Sequence, residues 1–239
     1  MHLKKYLLNR KVLASVLSPA LILTYSLGFQ APAYSLEFPP TGGRGAPGRT
    51  IGGGIRGDSC IDTKGTPLTA LMPGDQVAKT VTPHPTFFWY VPETTAKQAE
   101  FFISDESGNK VYQGTILLAE TPGVLKMQLP ETSLDLETNQ NYYWEFAIIC
   151  DPLDRTRDAY VQGMIQRTEL NLDLQTRLGE ADLLERAQLY AKEQIWQDTL
   201  TIAAQLWRPN RYIWVGLLNS VGLDAIAQEP LVDCCQVQD

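Results

Sequence analysis

The sequence predicts an all-β, antiparallel sandwich followed by a small α-helical C-terminal region, and three observations predict it. Between Ile61 and Thr168, short runs rich in β-branched and aromatic residues recur, each bounded by Gly, Pro, Asn, Asp or Ser, as in a protein built from short strands. Within that stretch the run Tyr142 to Cys150 alternates large apolar residues with others at period two, so one face of that strand points at a core. After Thr168 the apolar residues return every three or four positions, the period of a helix packed on one side.

In chain order, the first segment is not part of that fold. Lys4, Lys5, Arg10 and Lys11 precede an uncharged, largely apolar run from Val12 to Phe29 and then Ala31-Pro32-Ala33. This order of basic, apolar and small residues predicts a secretory signal peptide over residues 1–33, cleaved after Ala33. The apolar run approaches the length that spans a bilayer, but the A-x-A site and Pro19 favour cleavage over a retained anchor, so no membrane association is expected afterwards. The segment carries four basic and no acidic side chains, so its loss moves the formal charge from −7 to −7 − 4 = −11. A chain this acidic repels phosphate backbones and anionic lipid heads, which excludes nucleic acid as an expected partner.

Residues 34–59 are expected to form a flexible linker, because Pro39 to Gly57 is dominated by Gly and Pro with only Arg44, Arg49 and Arg56 as charges and has little apolar surface to offset backbone entropy. Gly52 to Gly57 lacks the preceding strand and following helix that a phosphate-cradling loop needs. The sandwich then covers 60–168. Strands are expected near Val77 to Val81, Phe87 to Val91, Glu100 to Ser104, Lys110 to Leu117, Val124 to Leu129, Tyr142 to Cys150 and Tyr160 to Thr168. Ser107-Gly108-Asn109 and Thr121-Pro122-Gly123 supply turns between them.

In the run from Leu136 to Cys150, Tyr142, Trp144, Phe146 and Ile148 share one face and Glu145 lies on the other. The Leu136–Tyr142 spacing resembles the tyrosine corner of fibronectin type III and immunoglobulin-like sandwiches, in which the hydroxyl ties a strand to the loop before it. Pro85 to Pro92 resembles their early core strand with a buried Trp.

Residues 169–229 are expected to hold a helical hairpin plus a third helix. From Glu180 to Trp207 one stripe runs through Leu184, Ala187, Tyr190, Ala191, Ile195, Thr199, Ile202 and Leu206, and a second through Trp196, Leu200, Ala203 and Trp207. Pro209 stops that helix. Trp214, Leu217, Leu218 and Val221 then share one side of a helix ending at Gly222. The spacing of Ala187, Tyr190, Trp196 and Thr199 is similar to one tetratricopeptide repeat, but one repeat buries no continuous core, and a hairpin packed on the sandwich is the simpler expectation. Residues 230–239 form a Cys-containing tail.

Together, Pro85 to Pro92, Pro122-Gly123, Leu129-Pro130, Tyr143-Trp144, Cys150-Asp151, Gln162 to Arg167, Tyr190-Ala191, Ile195-Trp196, Trp214, Leu217-Leu218 and Cys234-Cys235 resemble the cyanobacterial family known as domain of unknown function 928. The resemblance implies an envelope or secreted location and carries no activity with it.

The inventory for catalysis is thin. His2 and His84 are the two histidines, and His2 lies in the expected signal, so histidine chemistry would rest on His84 within the stiff Pro83-His84-Pro85. No G-x-S-x-G elbow accompanies it, and a His-rich zinc site is not possible. No catalytic residue, metal or cofactor is therefore expected. Between two expected strands, Asp151, Asp154, Arg155, Arg157 and Asp158 gather three carboxylates and two guanidiniums. These five are the candidate binding residues, set against a solvated loop whose charges pair locally. Asp105 to Asn109 imitates a calcium loop, but its Gly comes too early and no bidentate Glu follows, which favours a hairpin turn.

Four cysteines in an exported chain without C-x-x-C point to disulfides. Cys60 with Cys150 is the favoured pair; cross-pairs with the tail and free thiols are the alternatives. Adjacent Cys234 and Cys235 would form a vicinal ring or link two chains.

The functional expectation is a non-catalytic envelope or secreted module that binds another protein. The alternatives are a carbohydrate-binding module, which needs exposed aromatics, and a hydrolase using the loop carboxylates with His84. The sequence is silent on oligomeric state.

Overall fold

In the computed structural model the middle of the chain folds as two stacked sheets; the structure describes residues 35–40, 60–62, 64–74, 77–118 and 121–232, with the backbone alone at 237–238. The expected signal peptide with Ala33, the Gly52 to Gly57 run, Cys234 and Cys235 lie outside the described residues.

The strands are β1 (Thr69–Ala70), β2 (Ala78–Thr80), β3 (Thr86–Val91), β4 (Gln98–Asp105), β5 (Lys110–Leu117), β6 (Gly123–Gln128), β7 (Asn141–Ile148), β8 (Ala159–Arg167), β9 (Leu231–Val232) and β10 (Val237–Gln238). One sheet has the order β1-β3-β6-β9 and the other β10-β5-β4-β7-β8-β2. All pairs are antiparallel except β2 with β8 and β6 with β9. The seven expected strands are present as β2 to β8. The β4–β5 turn is a hairpin: Asp105 Oδ1 accepts from the backbone N–H of Ser107 at 2.9 Å and of Asn109 at 2.8 Å, and Gly108 takes a φ of 82° that suits glycine.

Side chains alternate as the period-two pattern requires. Tyr142, Trp144, Phe146 and Ile148 are buried. Trp89 of β3 stacks on Phe146 with ring centroids 4.3 Å apart, and Phe87 meets Phe101 of β4 at 4.8 Å, so aromatic contacts join the two sheets. The Tyr142 hydroxyl accepts from the N–H of Glu137 at 2.7 Å, fixing the loop that precedes β7.

Gly163 of β8 lies opposite Trp144 in the register, and a Cβ there would sit 2.5 Å from the indole ring. A ring held by the packed core cannot withdraw cheaply. Gly163→Ala is therefore expected to destabilise the fold by about 1–3 kcal/mol, measured as a lower urea midpoint at unchanged slope; an unchanged midpoint would show that the indole moves freely.

The strand β3 is buried on both faces. Phe87 and Trp89 look into the sandwich, while the Phe88 ring on the opposite face lies 6.1 Å from that of Trp214. A strand covered twice sits in a middle layer. The third layer is helical: α1 (Leu172–Glu180), α2 (Leu183–Lys192), α3 (Trp196–Gln205) and α4 (Arg211–Ser220). Trp196 and Trp214 are fully buried in the same hydrophobic cluster as the sheets, and the Trp196 indole N–H donates to the carbonyl of Leu71 at 2.8 Å. The helices thus complete the core.

Three details differ from the sequence reading. Residues 169–229 hold four α-helices, one more than a hairpin plus a third helix. α1 was missed because its buried residues are only Leu174 and Leu178, too few to mark a stripe; Asp182 then starts α2 with a capping box shared with Glu185. Within 34–59, residues 35–40 are packed instead of forming linker. Leu36 and Phe38 are buried, the Phe38 ring meets Trp196 edge-on at 5.0 Å, and the Phe38 N–H donates to Ser220 Oγ at 2.9 Å. Two apolar residues ahead of a Gly/Pro run suffice to anchor an extended strap once a groove exists to receive them. The tail contributes β9 and β10, each two residues long, below what a sequence pattern reveals.

Candidate functional site

Helices cover the outer side of the four-stranded sheet; the outer face of the six-stranded sheet is where the sandwich meets solvent. Opposite the buried set, the pleat turns outward Glu100 and Phe102 on β4, Tyr143 and Glu145 on β7, and Tyr160 and Gln162 on β8. The register places Phe102, Glu145 and Gln162 in one row across three strands and Ser104 beside Tyr143 in the next. Phe102, Ser104, Tyr143, Glu145 and Gln162 line a hollow of about 270 Å³. Tyr143 is 39% exposed and Tyr160 37%.

The two carboxyls on this face are pushed apart. A hydrogen bond from Gln113, 2.8 Å away, and then one from the Arg155 guanidinium at 3.0 Å hold Glu100 below the usual carboxylate range, against the upward push of burial. Burial and then the charge of Glu100 push Glu145 up. Both oxygens of Glu100 accept from these donors, a geometry that fits a rim residue better than a catalytic base.

The loop expected to carry binding residues borders this face. Arg155 joins Glu100 to Asp158. Asp158 Oδ1 also accepts from the Cys150 N–H at 3.0 Å, so it closes the loop on its own strand. Asp151 Oδ1 accepts from the Leu153 N–H at 2.9 Å, and Asp154 Oδ1 from the Thr156 N–H at 3.2 Å; Arg157 lies 3.8 Å from Asp151. The five candidate residues therefore share one loop, and each is engaged in it. Cys60 and Cys150 are bonded, with Cα atoms 5.3 Å apart. Among the described residues no group of three or more His, Cys, Asp or Glu is placed to hold a metal ion.

His84 is elsewhere. Its Nε2 lies 3.3 Å from Asp135 Oδ1 and 3.4 Å from the Ser133 carbonyl, and the cavity it lines includes none of the loop aspartates. The constellation of His84 with Asp151, Asp154 and Asp158 that a hydrolase would need is not assembled there.

The same cavity, at the seam between sandwich and helices, contains Asp198 from the first turn of α3. Its carboxylate accepts from the Val81 N–H at 3.1 Å and the Thr82 hydroxyl at 2.8 Å, latching the helix to the chain after β2. Burial pushes its pKa up despite these donors. The folded protein thus holds the Asp198 proton more tightly than the unfolded chain, so this group's contribution to stability is greatest below about pH 3.9, the unfolded value, and declines as pH rises through the raised folded value. The unfolding free energy of the native chain minus that of Asp198→Asn is expected to fall as pH is raised from 4 to 8. Urea melts of both at each pH measure it, and a constant difference would refute the assignment.

Phe102, Tyr143 and Asp198 are not among the candidate site residues read from the sequence, where Tyr143 enters only through the family resemblance. An adjacent pair such as Phe101-Phe102 within a strand signals that one ring must face outward, and Tyr143 occupies the same position relative to Tyr142.

No curated protein and no solved structure matches the chain. Residues 51–231 of its 239 match the model of the family described as Domain of Unknown Function (DUF928), and the chain belongs to that family.

Proposed function

We propose that this chain is exported to the envelope or exterior of a cyanobacterium-like cell, where it serves as a non-catalytic module that binds another protein through the outer face of the six-stranded sheet. The observation that carries this reading is the asymmetry of the sandwich. One sheet is covered by helices, while the other offers Phe102, Tyr143 and Tyr160 as half-buried aromatics among Glu100, Glu145, Gln113 and Gln162. Apolar anchors within a polar rim suit a protein partner, and Asp151, Asp154, Arg155, Arg157 and Asp158 extend that rim. The two carboxylates favour a partner contributing Lys or Arg. The strand order supports a fibronectin type III-like classification, and the Cys60–Cys150 bond supports an oxidising compartment.

Two measurements test it. The mature chain recovered from its own cells is expected to begin near Tyr34. A partner captured by the native protein is expected to be lost about tenfold or more with Tyr143→Asp, and to protect amides of β4, β7 and β8 from hydrogen exchange. A chain that begins at Met1, or protection confined to the helical layer, would overturn the proposal.

A carbohydrate ligand is the second reading, favoured by the neighbouring Phe102 and Tyr143 rings on an open sheet face. It is weakened by the burial of Trp89, Trp144, Trp196 and Trp214, all at most 3% exposed. Retardation of the native protein, but not of Tyr143→Ala, in gels containing cell-wall polysaccharide would favour sugar over protein.

A further inference from the structure

The cavity at the seam measures about 260 Å³ and lies between residues 80–86, around the start of β3, and the helices α2 and α3. A second hollow of about 350 Å³ shares Thr86, Gln128, Thr201 and Gln205 with it, so the two adjoin. The walls of the first are mixed: beside Pro85 and Ile202 stand threonine side chains, those of Gln128, Gln197 and Gln205, the Tyr190 side chain and the Asp198 carboxylate.

Charge in this cavity is one-sided. The donors to Asp198 are the Thr82 and Thr80 hydroxyls, the Val81 N–H and its own backbone N–H, and all are neutral. Among the described residues no Lys or Arg lines this first cavity, while Lys126 stands in the wall of the adjoining hollow. His84, the remaining basic group in the wall, has its Nε2 beside Asp135. A sunken carboxylate is ordinarily matched by a cation, because removing its hydration is costly and neutral hydrogen bonds recover only part of that cost. Here the countercharge is missing and there is space where it would sit.

We propose that this cavity binds a small organic cation, an ammonium-bearing molecule whose charge meets Asp198. The side-chain carbonyls of Gln128 and Gln205, which line the cavity, can accept its N–H groups. An anionic ligand would be repelled, and an uncharged polyol would leave Asp198 uncompensated. The site is distinct from the outer sheet face and does not depend on that reading.

The test uses the full mature chain with choline, putrescine and agmatine as probes, glucose and sodium acetate as controls, and matched chloride throughout. At least one amine is expected to bind with one-to-one stoichiometry by calorimetry and to raise the melting temperature at about 10 mM. Asp198→Asn is expected to weaken that binding about tenfold or more. Because Asp198 also latches α3, Thr201→Leu serves as a second variant; it fills cavity space and removes none of the donors to the carboxylate, since the Thr201 hydroxyl donates to the Gln197 carbonyl, and it should weaken binding similarly. Tyr212→Ala, at an exposed position of α4 outside the cavity, should leave it unchanged. No response to any of the three amines, binding by both cavity variants as tight as by the native chain, or a stronger response to glucose would overturn the proposal.

Discussion

Trp196→Ala is expected to lower the unfolding free energy by about 3–5 kcal/mol, the range for truncating a fully buried aromatic side chain. The indole is 0% exposed and joins three separate pieces of chain. Its ring packs against Phe38 of the N-terminal strap, its N–H donates to the carbonyl of Leu71 just after β1, and its backbone begins α3. Truncation removes the apolar burial, opens a cavity and leaves the Leu71 carbonyl without its indole donor, each of which is unfavourable. The loss should be global, since α2, α3 and α4 share one hydrophobic cluster with the sheets: near-ultraviolet circular dichroism and far-ultraviolet ellipticity should lose structure at the same, lower urea concentration. Trp196→Phe, which keeps a ring but loses the donor, should fall between the native chain and the alanine variant. Two separate transitions, with the sandwich melting at its native midpoint, would mean that the helices are an appended layer.

What was legible in the sequence and what was not follow one physical division. Period two in Tyr142 to Ile148 is a local signal, and it located both a strand and its buried face. Burial of β3 on both sides depends on Trp214, which lies more than a hundred residues later in the chain, so the run Phe87 to Val91 announced a core strand without announcing a third layer. The same holds for Leu36 and Phe38, which look unremarkable beside a Gly/Pro run until the helices form their groove. Composition marked Asp151 to Asp158 as charged, yet whether those charges await a ligand or close the loop is decided by single hydrogen bonds such as Asp158 to the Cys150 N–H. Asp198 reads as an ordinary acid in a helix's first turn; its interest comes from Val81 and Thr82, more than a hundred residues earlier. Patterns with a local period survive in a sequence, whereas a site assembled by packing between layers leaves little periodic trace.

Cys150→Ser paired with Cys60→Ser is expected to cost about 4.5 kcal/mol, because the bond closes a loop of 90 residues and its loss frees that much chain in the unfolded state. Most of the folded state should survive. The Cys60 carbonyl accepts from the Thr94 hydroxyl at 2.7 Å and the Thr95 N–H at 3.0 Å, and Ile61 bridges to Thr94, so the segment before β1 is still held where the thiol was. The Cys150 N–H likewise keeps its bond to Asp158. The double variant should therefore show a native-like circular dichroism spectrum, a lower urea midpoint and an almost unchanged denaturant slope, and reduction of the native protein should reproduce the shift. Reductant should leave the double variant unmoved. A loss below about 1 kcal/mol would show that strain in the folded bond, or structure persisting in the reduced unfolded chain, cancels the entropy of closure; the bond would then contribute little to keeping the chain folded.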